Sequence, residues 1–382
     1  MNKLGILIFI CLLIPFPSIT LAGSIVEPGG ESDAVGKGGG GTSLLAGSNI
    51  ASNPAKMLSY DQGYHFQLNY EFIQTDFSYN DWKSRESFHI PSGSLFYATD
   101  NQDKLKYAFG LWFGAPFGLG TNWEEVEMKS FIGLTRVSLG GSVGSESFHF
   151  GAAFNLDYGE VNMEAPLIVQ NMALGKTLTD MDGFGCSYTL GFIYNCIWAK
   201  LGVAYTSAPR VKLKGETELV SPILGDDREE VATTISFPSK LNLAIALGPK
   251  KFQLVFDANY YNFNMKNVEF QYNTWPDENN RLDFKDIWSF HYGLEWTFWE
   301  QYDKGNSAKL RLGSAYLPAV TPEITRSPLL FDVAGYSYSA GLGYSINNWY
   351  IDLAYVYVDT KTEVFDDTYE AGLHMLSVKI SL

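Results

Sequence analysis

Residues 64–72, Tyr-His-Phe-Gln-Leu-Asn-Tyr-Glu-Phe, alternate without a break: Tyr64, Phe66, Leu68, Tyr70 and Phe72 are apolar or aromatic, and His65, Gln67, Asn69 and Glu71 are polar. Successive strand side chains point to opposite faces, so this is a strand with one greasy and one wet face. A soluble sandwich and a membrane barrel share that pattern and differ in which face meets water. The alternation recurs as Phe148, Phe150, Ala152, Phe154 and Leu156, as Phe290, Tyr292, Leu294, Trp296 and Phe298, and as Leu376, Val378, Ile380 and Leu382.

Roughly fourteen such segments follow one another from residue 62 to the C-terminus, near 62–75, 92–101, 104–116, 126–141, 146–160, 183–195, 197–210, 230–247, 251–265, 284–299, 307–318, 333–346, 349–363 and 369–382. Many have ten or more residues, beyond the usual five or six of globular sheets, and about 9 to 11 tilted residues cross a bilayer. Tight connections are expected near Gly144, Asn195, Gly248 and Asn347, and long ones near 76–91, 161–182, 211–229, 266–283 and 319–332. Long loops on one side only are the habit of an outer-membrane barrel. The expected fold is therefore all-β, a transmembrane antiparallel β-barrel of about fourteen strands, closed so that every backbone polar group in hydrocarbon is paired. Parity then turns Arg136, Lys200, Lys309 and Arg311 into the lumen and the aromatics toward lipid; the opposite parity would cost about 2–4 kcal/mol for each cation near the midplane.

The first 22 residues read as a secretory signal, with an early Lys3, a short apolar run broken by prolines and small residues ending at Ala22. Residues 23–60 are glycine-rich and aperiodic. Cys11 belongs to the signal, and Cys186 and Cys196 lie on one extended stretch roughly 30 Å apart at about 3.3 Å per residue, so both are expected as free thiols. The formal charge of -15 disfavours nucleic acid as a partner, whose phosphates need clustered Lys and Arg.

Motifs for chemistry are absent in context. Gly36–Gly41 satisfies G-x-G-x-x-G and Gly140–Gly144 satisfies G-x-S-x-G, yet neither joins a strand to a helix as those sites require. His65, His89, His149, His291 and His374 are scattered without metal-ligand spacing, so no metal, no cofactor and no catalytic residue is nominated. The acidic run Gly225–Glu230 reads as a solvated loop. The segment 161–180 stands apart, because Met163, Leu167, Ile168, Val169, Met172 and Leu174 are too apolar for an outward loop. It reads as a short helix packed over the barrel mouth or an apolar landing site for a ligand.

Several stretches resemble the FadL/TodX family of outer-membrane transporters for long-chain fatty acids and aromatic hydrocarbons. The glycine-rich run into Asn53, Pro54 and Ala55 resembles the family's plug, and residues 109–123 resemble its third strand, ending in Pro116, Phe117, Gly118 and Leu119. Residues 201–215, 235–247 and 310–322 resemble its seventh, eighth and eleventh strands. The resemblance implies a signal peptide at 1–22, a hatch at 23–60 inside the lumen and a barrel over 61–382. It also implies passive uptake of a hydrophobic small molecule, captured at 161–180 and released sideways through the wall. Arg136, Lys200 and Arg311 are candidate partners for a fatty carboxylate. The implied setting is the Gram-negative outer membrane, with both termini periplasmic, lipid and lipopolysaccharide around a monomer, and the barrel assembly machinery acting during biogenesis. The alternative is a binding or secretion-accessory scaffold of the same fold. The chain ends in Leu382 where such barrels usually carry Phe.

Overall fold

The computed structural model describes residues 31–44, 50–99, 105–169, 172–301, 305–329 and 331–382. The expected signal segment and residues 23–30 lie outside them.

The chain closes a barrel of fourteen antiparallel wall strands. These are β1 (Gly63–Tyr79), β2 (Trp82–Ala98), β3 (Lys106–Trp123), β4 (Met128–Gly144), β5 (Phe148–Val169), β6 (Met172–Asn195), β7 (Ala199–Thr206 and Arg210–Val220) and β8 (Asp227–Ser236 and Ser239–Leu247). The circle continues with β9 (Phe252–Asn262 and Asn267–Tyr272), β10 (Glu278–Arg281 and Ile287–Gln301), β11 (Asn306–Leu317), β12 (Gly335–Ile346), β13 (Trp349–Val364) and β14 (Asp367–Ser381). Closure is made by β1 on β14, in register from Gln67↔Ser381 to Tyr79↔Tyr369. No backbone edge is left there to face lipid.

The parity of the first strand holds. Tyr64, Leu68 and Tyr70 are exposed on the outer face, while Gln67, Asn69 and Glu71 are buried inside. The outer apolar band runs from Tyr64 to Phe72 on β1 and from Phe148 to Tyr158 on β5, about the length that spans hydrocarbon. Beyond it the outer face turns polar, at Gln74 and Asp76 on β1 and at Glu160, Asn162 and Glu164 on β5.

The long loops are where the structure departs from expectation. Residues 76–91, 161–182, 211–229 and 266–283 are mostly strand, turned at Asn80-Asp81 on the first hairpin, whereas, among the described residues, the run between β11 and β12 is a long connection as expected. The strands continue above the bilayer, where water lies outside and apolar groups must turn inward. On β1 the composition inverts, so that Ile73 and Phe77 are now the buried set. On β3, β7, β8, β9 and β10 a bulge or break shifts the face instead. The inward set on β8 is Val231, Thr233, Ile235 and Phe237 before Pro238, and Asn242, Ala244 and Ala246 after it. One extra residue flips every following side chain. A segment that reverses its alternation midway reads as aperiodic, which is why these halves looked like loops.

The described N-terminal residues pack inside the barrel and bond to its wall on all sides. Ser32 Oγ donates to Asn69 Oδ1 at 2.7 Å, Gly38 N to Ser339 Oγ at 2.8 Å, Gly41 N to Asp257 Oδ1 at 2.7 Å and Thr189 Oγ1 to Ala51 O at 3.2 Å. His291 Nδ1 donates to Gly38 O at 2.7 Å while Nε2 accepts from Asn259 Nδ2 at 3.0 Å. The glycine run is needed for its backbone: Gly38, Gly39 and Gly41 have φ of 69°, 82° and 79°.

Charge fixes the same segment. Asp33 pairs with Lys379, which also approaches Asp352 at 3.4 Å and Glu31 at 3.8 Å. Lys37 lies 3.6 Å from Glu295, which takes Arg311 Nε at 2.7 Å and Lys309 at 2.8 Å. Arg311 reaches on to Asp352 at 2.5 Å. Four acids meet four bases, so the buried cluster is neutral, the condition under which burial of charge is tolerable.

Two substitutions test this docking. A Cβ on Gly191 would stand 1.9 Å from Asn53 Oδ1, so Gly191→Leu should dislodge the segment and give steady ionic currents in planar bilayers where the native chain gives none. Lys379→Met, which leaves Glu31, Asp33 and Asp352 without their shared cation, should lower unfolding free energy in urea by about 3–5 kcal/mol, partly recovered by adding Asp33→Asn.

Candidate functional site: an apolar chamber with a broken wall

Above the polar inner layer, the lumen is filled by apolar side chains packed in two clusters, and the region they fill is the chamber. One gathers Leu119, Leu134, Val161, Met181, Val211, Leu213, Ile235, Phe237, Phe263 and Val320 from β3 to β10 and the 318–334 loop. The other gathers Ile73, Phe77, Phe88, Ile90, Ala115, Trp123, Phe331 and Val333 from β1, β2, β3 and the same loop. They meet at β3. Such a lining favours an apolar occupant over water.

The 318–334 loop is the lid. Phe331 stacks on Phe77 with ring centroids 4.8 Å apart, and Pro328 O accepts from Trp123 Nε1 at 3.0 Å and from Thr121 Oγ1 at 3.1 Å. Asp332 is buried beneath it; one carboxylate oxygen accepts from Val320 N at 2.6 Å and Thr321 N at 2.9 Å, and Oδ1 has no hydrogen-bond partner. Burial pushes its pKa up, against the pull of those two amides and of Arg326.

The wall beside the chamber is incomplete. β2 pairs with β3 only from Gly93↔Phe113 to Ala98↔Ala108. Further up, β2 stays on β1 and β3 stays on β4, with one extra residue inserted between Gly114 and Phe117. The lower end of this gap is level with Tyr70, opposite Pro91, and Phe72, opposite His89, so it opens at the height of the lipid-facing band. Its upper end is strapped by Asn122, whose N donates to Ser84 Oγ at 2.9 Å and whose Nδ2 donates to Glu86 Oε1 at 2.8 Å. A free backbone group in hydrocarbon costs several kcal/mol, so an interval of this kind is not a casual irregularity. Pro91 and Pro116, which have no N–H to leave unpaired, stand on its two sides.

The residues singled out from sequence fall into three places. Asn53 caps the 3-10 helix Pro54–Ser59, accepting from Ala55 N at 3.0 Å and donating to Ser43 O at 2.9 Å, with Pro54 at the first helical position. Pro116, Phe117, Gly118 and Leu119 form the β3 side of the gap. The segment 161–180, expected as a loop with a short helix, is instead strand on both sides of the β5–β6 hairpin tip: Met163 packs against the chamber, Leu167 and Leu174 are half-buried, and Ile168 and Met172 are exposed. The side chain of Val169 lies outside the described residues.

The three nominated cations do not converge. Arg136 Nε donates to buried Asp157 at 2.6 Å, and Arg311 is held by Glu295 and Asp352, so both already have carboxylate partners within the protein. Lys200, near the inner rim, has no acid partner among the described residues. Cys186 and Cys196 are free and exposed.

Sequence reasoning missed the most informative contact. Phe117, at the gap, meets Phe237 of β8 edge to face, with centroids 4.8 Å apart. Pro238, interrupting an otherwise regular strand, was the signal available. A depression of about 1170 Å³ among the outer hairpins adjoins the first cluster, since Met163, Met181 and Val231 line it together with Phe131 and with charged side chains such as Glu160, Asp180, Glu216, Lys214 and Arg228.

A closed barrel with a lipid-facing band, a charged inner layer packed with its own N-terminal residues and an apolar chamber is an outer-membrane barrel of the transport type. The chain belongs to the family described as outer membrane protein transport protein (OMPP1/FadL/TodX), whose profile matches residues 22–380. Among solved structures it is similar to a Pseudomonas aeruginosa FadL homologue, at TM-score 0.78 and 18% identity over 94% of this chain and 99% of that one. It is also similar to the Pseudomonas putida toluene transporter TodX, at TM-score 0.71 and 16% identity over 95% and 98%. The Ralstonia pickettii toluene transporter TbuX matches at TM-score 0.72 and 16% identity over 93% and 98%. No curated protein matches the sequence. At these identities the likeness to solved structures shows the fold.

The buried carboxylate of the lid makes a prediction about pH. Because the folded state raises the Asp332 pKa, the folded chain binds its proton more tightly; that stability is present below the unfolded value of about 3.9 and is lost as pH rises through the higher folded value. Asp332→Asn should therefore raise the thermal midpoint at about pH 8, with the difference vanishing toward about pH 3.

Proposed function

We propose that this chain is a passive outer-membrane transporter of hydrophobic small molecules, of the class spanned by long-chain fatty acids and monoaromatic hydrocarbons, which leave the barrel sideways into the bilayer. The observation that carries the reading is the unpaired β2–β3 interval at the height of the lipid-facing band, opening onto the apolar cluster of Phe88, Ile90 and Ala115. An apolar molecule gains nothing from an aqueous lumen, and lateral release keeps it out of water. The relatives named as toluene transporters support the ligand class.

On this reading residues 1–22 are removed on export, 23–60 form a hatch that blocks a straight aqueous path, and 61–382 form the barrel. The apolar tip of the β5–β6 hairpin, with exposed Ile168 and Met172, is a first contact for the ligand. Pro116, Phe117, Gly118 and Leu119 shape the exit. Lys200 is the nominated cation still free to meet a carboxylate. The protein works as a monomer surrounded by lipid and lipopolysaccharide, is inserted by the barrel assembly machinery, and keeps both termini periplasmic; it carries out no catalysis and needs no cofactor.

The test is uptake of radiolabelled oleate and toluene by cells lacking their own transporters. Cells carrying the chain should accumulate label faster than cells without it. In a Cys186→Ser, Cys196→Ser background, a thiol-reactive strap joining His89→Cys to Pro116→Cys across the gap should return uptake to background. Unchanged uptake under a complete strap would sink the lateral route, and a chain that accumulates neither probe but co-purifies with a stable protein partner would favour the scaffold reading.

A further inference from the structure

The wall has a second break, on the other side of the chamber. β8 and β9 pair through Ala232↔Gln271 and Val231↔Tyr272 above it and from Ser239↔Asn262 below it. Between those points, among the described residues, no ladder pairing joins the two strands, and Thr233 Oγ1 donating to Glu269 O at 2.7 Å is the hydrogen bond across. Each side holds to its other neighbour. Phe237 N donates to Pro209 O of β7 at 2.9 Å, while Leu282 N and Asp283 N of β10 donate to Lys266 O at 2.8 and 2.9 Å. Pro238 has no N–H to offer β9.

Side chains close this seam in place of a ladder. Ile235, Phe237, Phe263, Met265, Val268 and Phe270 are all buried there and belong to the chamber's larger cluster. The outer rim is polar, with Thr234, Asn264, Lys266 and Glu269 exposed. Its height is marked by Tyr260, whose ring is tilted against Trp288 with centroids 5.0 Å apart and whose hydroxyl donates to Asp286 at 2.7 Å, an aromatic pair of the kind that sits at a membrane interface. The seam begins just beyond that pair. An apolar throat under a polar rim at headgroup level suits a molecule with one polar end and an apolar body, lying in the outer leaflet.

The throat also touches the first break. Phe237, which fills the seam, is the ring that meets Phe117 at the β2–β3 gap, 4.8 Å between centroids. Moving Phe237 aside therefore bares the path from one break to the other.

We propose that the β8–β9 seam is a second lateral portal, an inlet for amphiphiles from the outer leaflet, and that the Phe237–Phe117 pair is the valve between this inlet and the β2–β3 outlet. It rests on the transport reading above and adds where the ligand comes in. The ligand's polar end stays at the Thr234, Lys266 and Glu269 rim until its apolar body has displaced Phe237.

The experiment uses the full chain with Cys186→Ser and Cys196→Ser. Thr234→Cys and Glu269→Cys are joined by a bis-maleimide strap with a reducible centre. Oleate uptake should fall to the level of cells without the chain and return when the strap is cut; unchanged uptake under a complete strap overturns the portal, while loss under the β2–β3 strap alone leaves lateral release standing. If the unstrapped chain takes up neither oleate nor toluene, the transport reading fails, and a second readout decides the portal by itself. In vesicles of phospholipid and lipopolysaccharide, Phe237→Cys should react with a lipid-soluble N-alkyl maleimide as fast as lipid-facing Leu243→Cys. Protection equal to that of Phe331→Cys, a fully buried residue of the lid, overturns it.

Discussion

In hydrocarbon every backbone N–H and C=O has to be paired within the protein, and this one requirement organises the molecule. It demands strands long enough to cross, a ladder that closes on itself through β1 and β14, and turns kept outside the bilayer. Against that background an unpaired interval stands out. Where β3 leaves β2 at Gly114, both flanks bring a proline, and apolar side chains pack behind the interval from inside. The wall thus has fewest backbone bonds where its inner face is apolar.

The second organising fact is the inversion of faces. Within the bilayer the barrel is greasy outside and polar inside, and the polar interior is what allows Ser32, Gly38, Gly41 and the paired charges of Asp33 and Lys37 to dock there. Above the bilayer the sheet must be polar outside, so its interior becomes apolar. The chamber is a consequence of that switch. A bulge on β3 and breaks within β7, β8, β9 and β10 perform it by shifting parity, and the same irregularities interrupt the ladder. Chamber and breaks therefore have one structural cause.

Much of this was legible in the sequence. Strict alternation at 64–72, 148–156 and 290–298 placed membrane-level strands and told their lipid side from their lumen side. The outer halves were not legible. There the alternation reverses within a strand, as from Glu71 to Ile73 on β1, and a reversed pattern carries no single period. Site residues suffered more, because inward parity alone could not tell a free cation from a paired one: Arg136 faces Asp157, and Arg311 faces Glu295 and Asp352, contacts set by cross-strand register that a single sequence does not display. The Phe117–Phe237 contact spans the barrel and left only Pro238 as its trace.

The central claim is that the chamber is dry and communicates with the bilayer rather than with the periplasm. The most direct measurement is a high-resolution structure of the full chain in a lipid nanodisc, with attention to density among Phe88, Ile90, Ala115 and Phe117. Acyl or other apolar density reaching through the β2–β3 gap is the predicted result. A chain of ordered waters running from the chamber past residues 31–44 to the inner rim, with the gap closed by a regular ladder, would contradict the account.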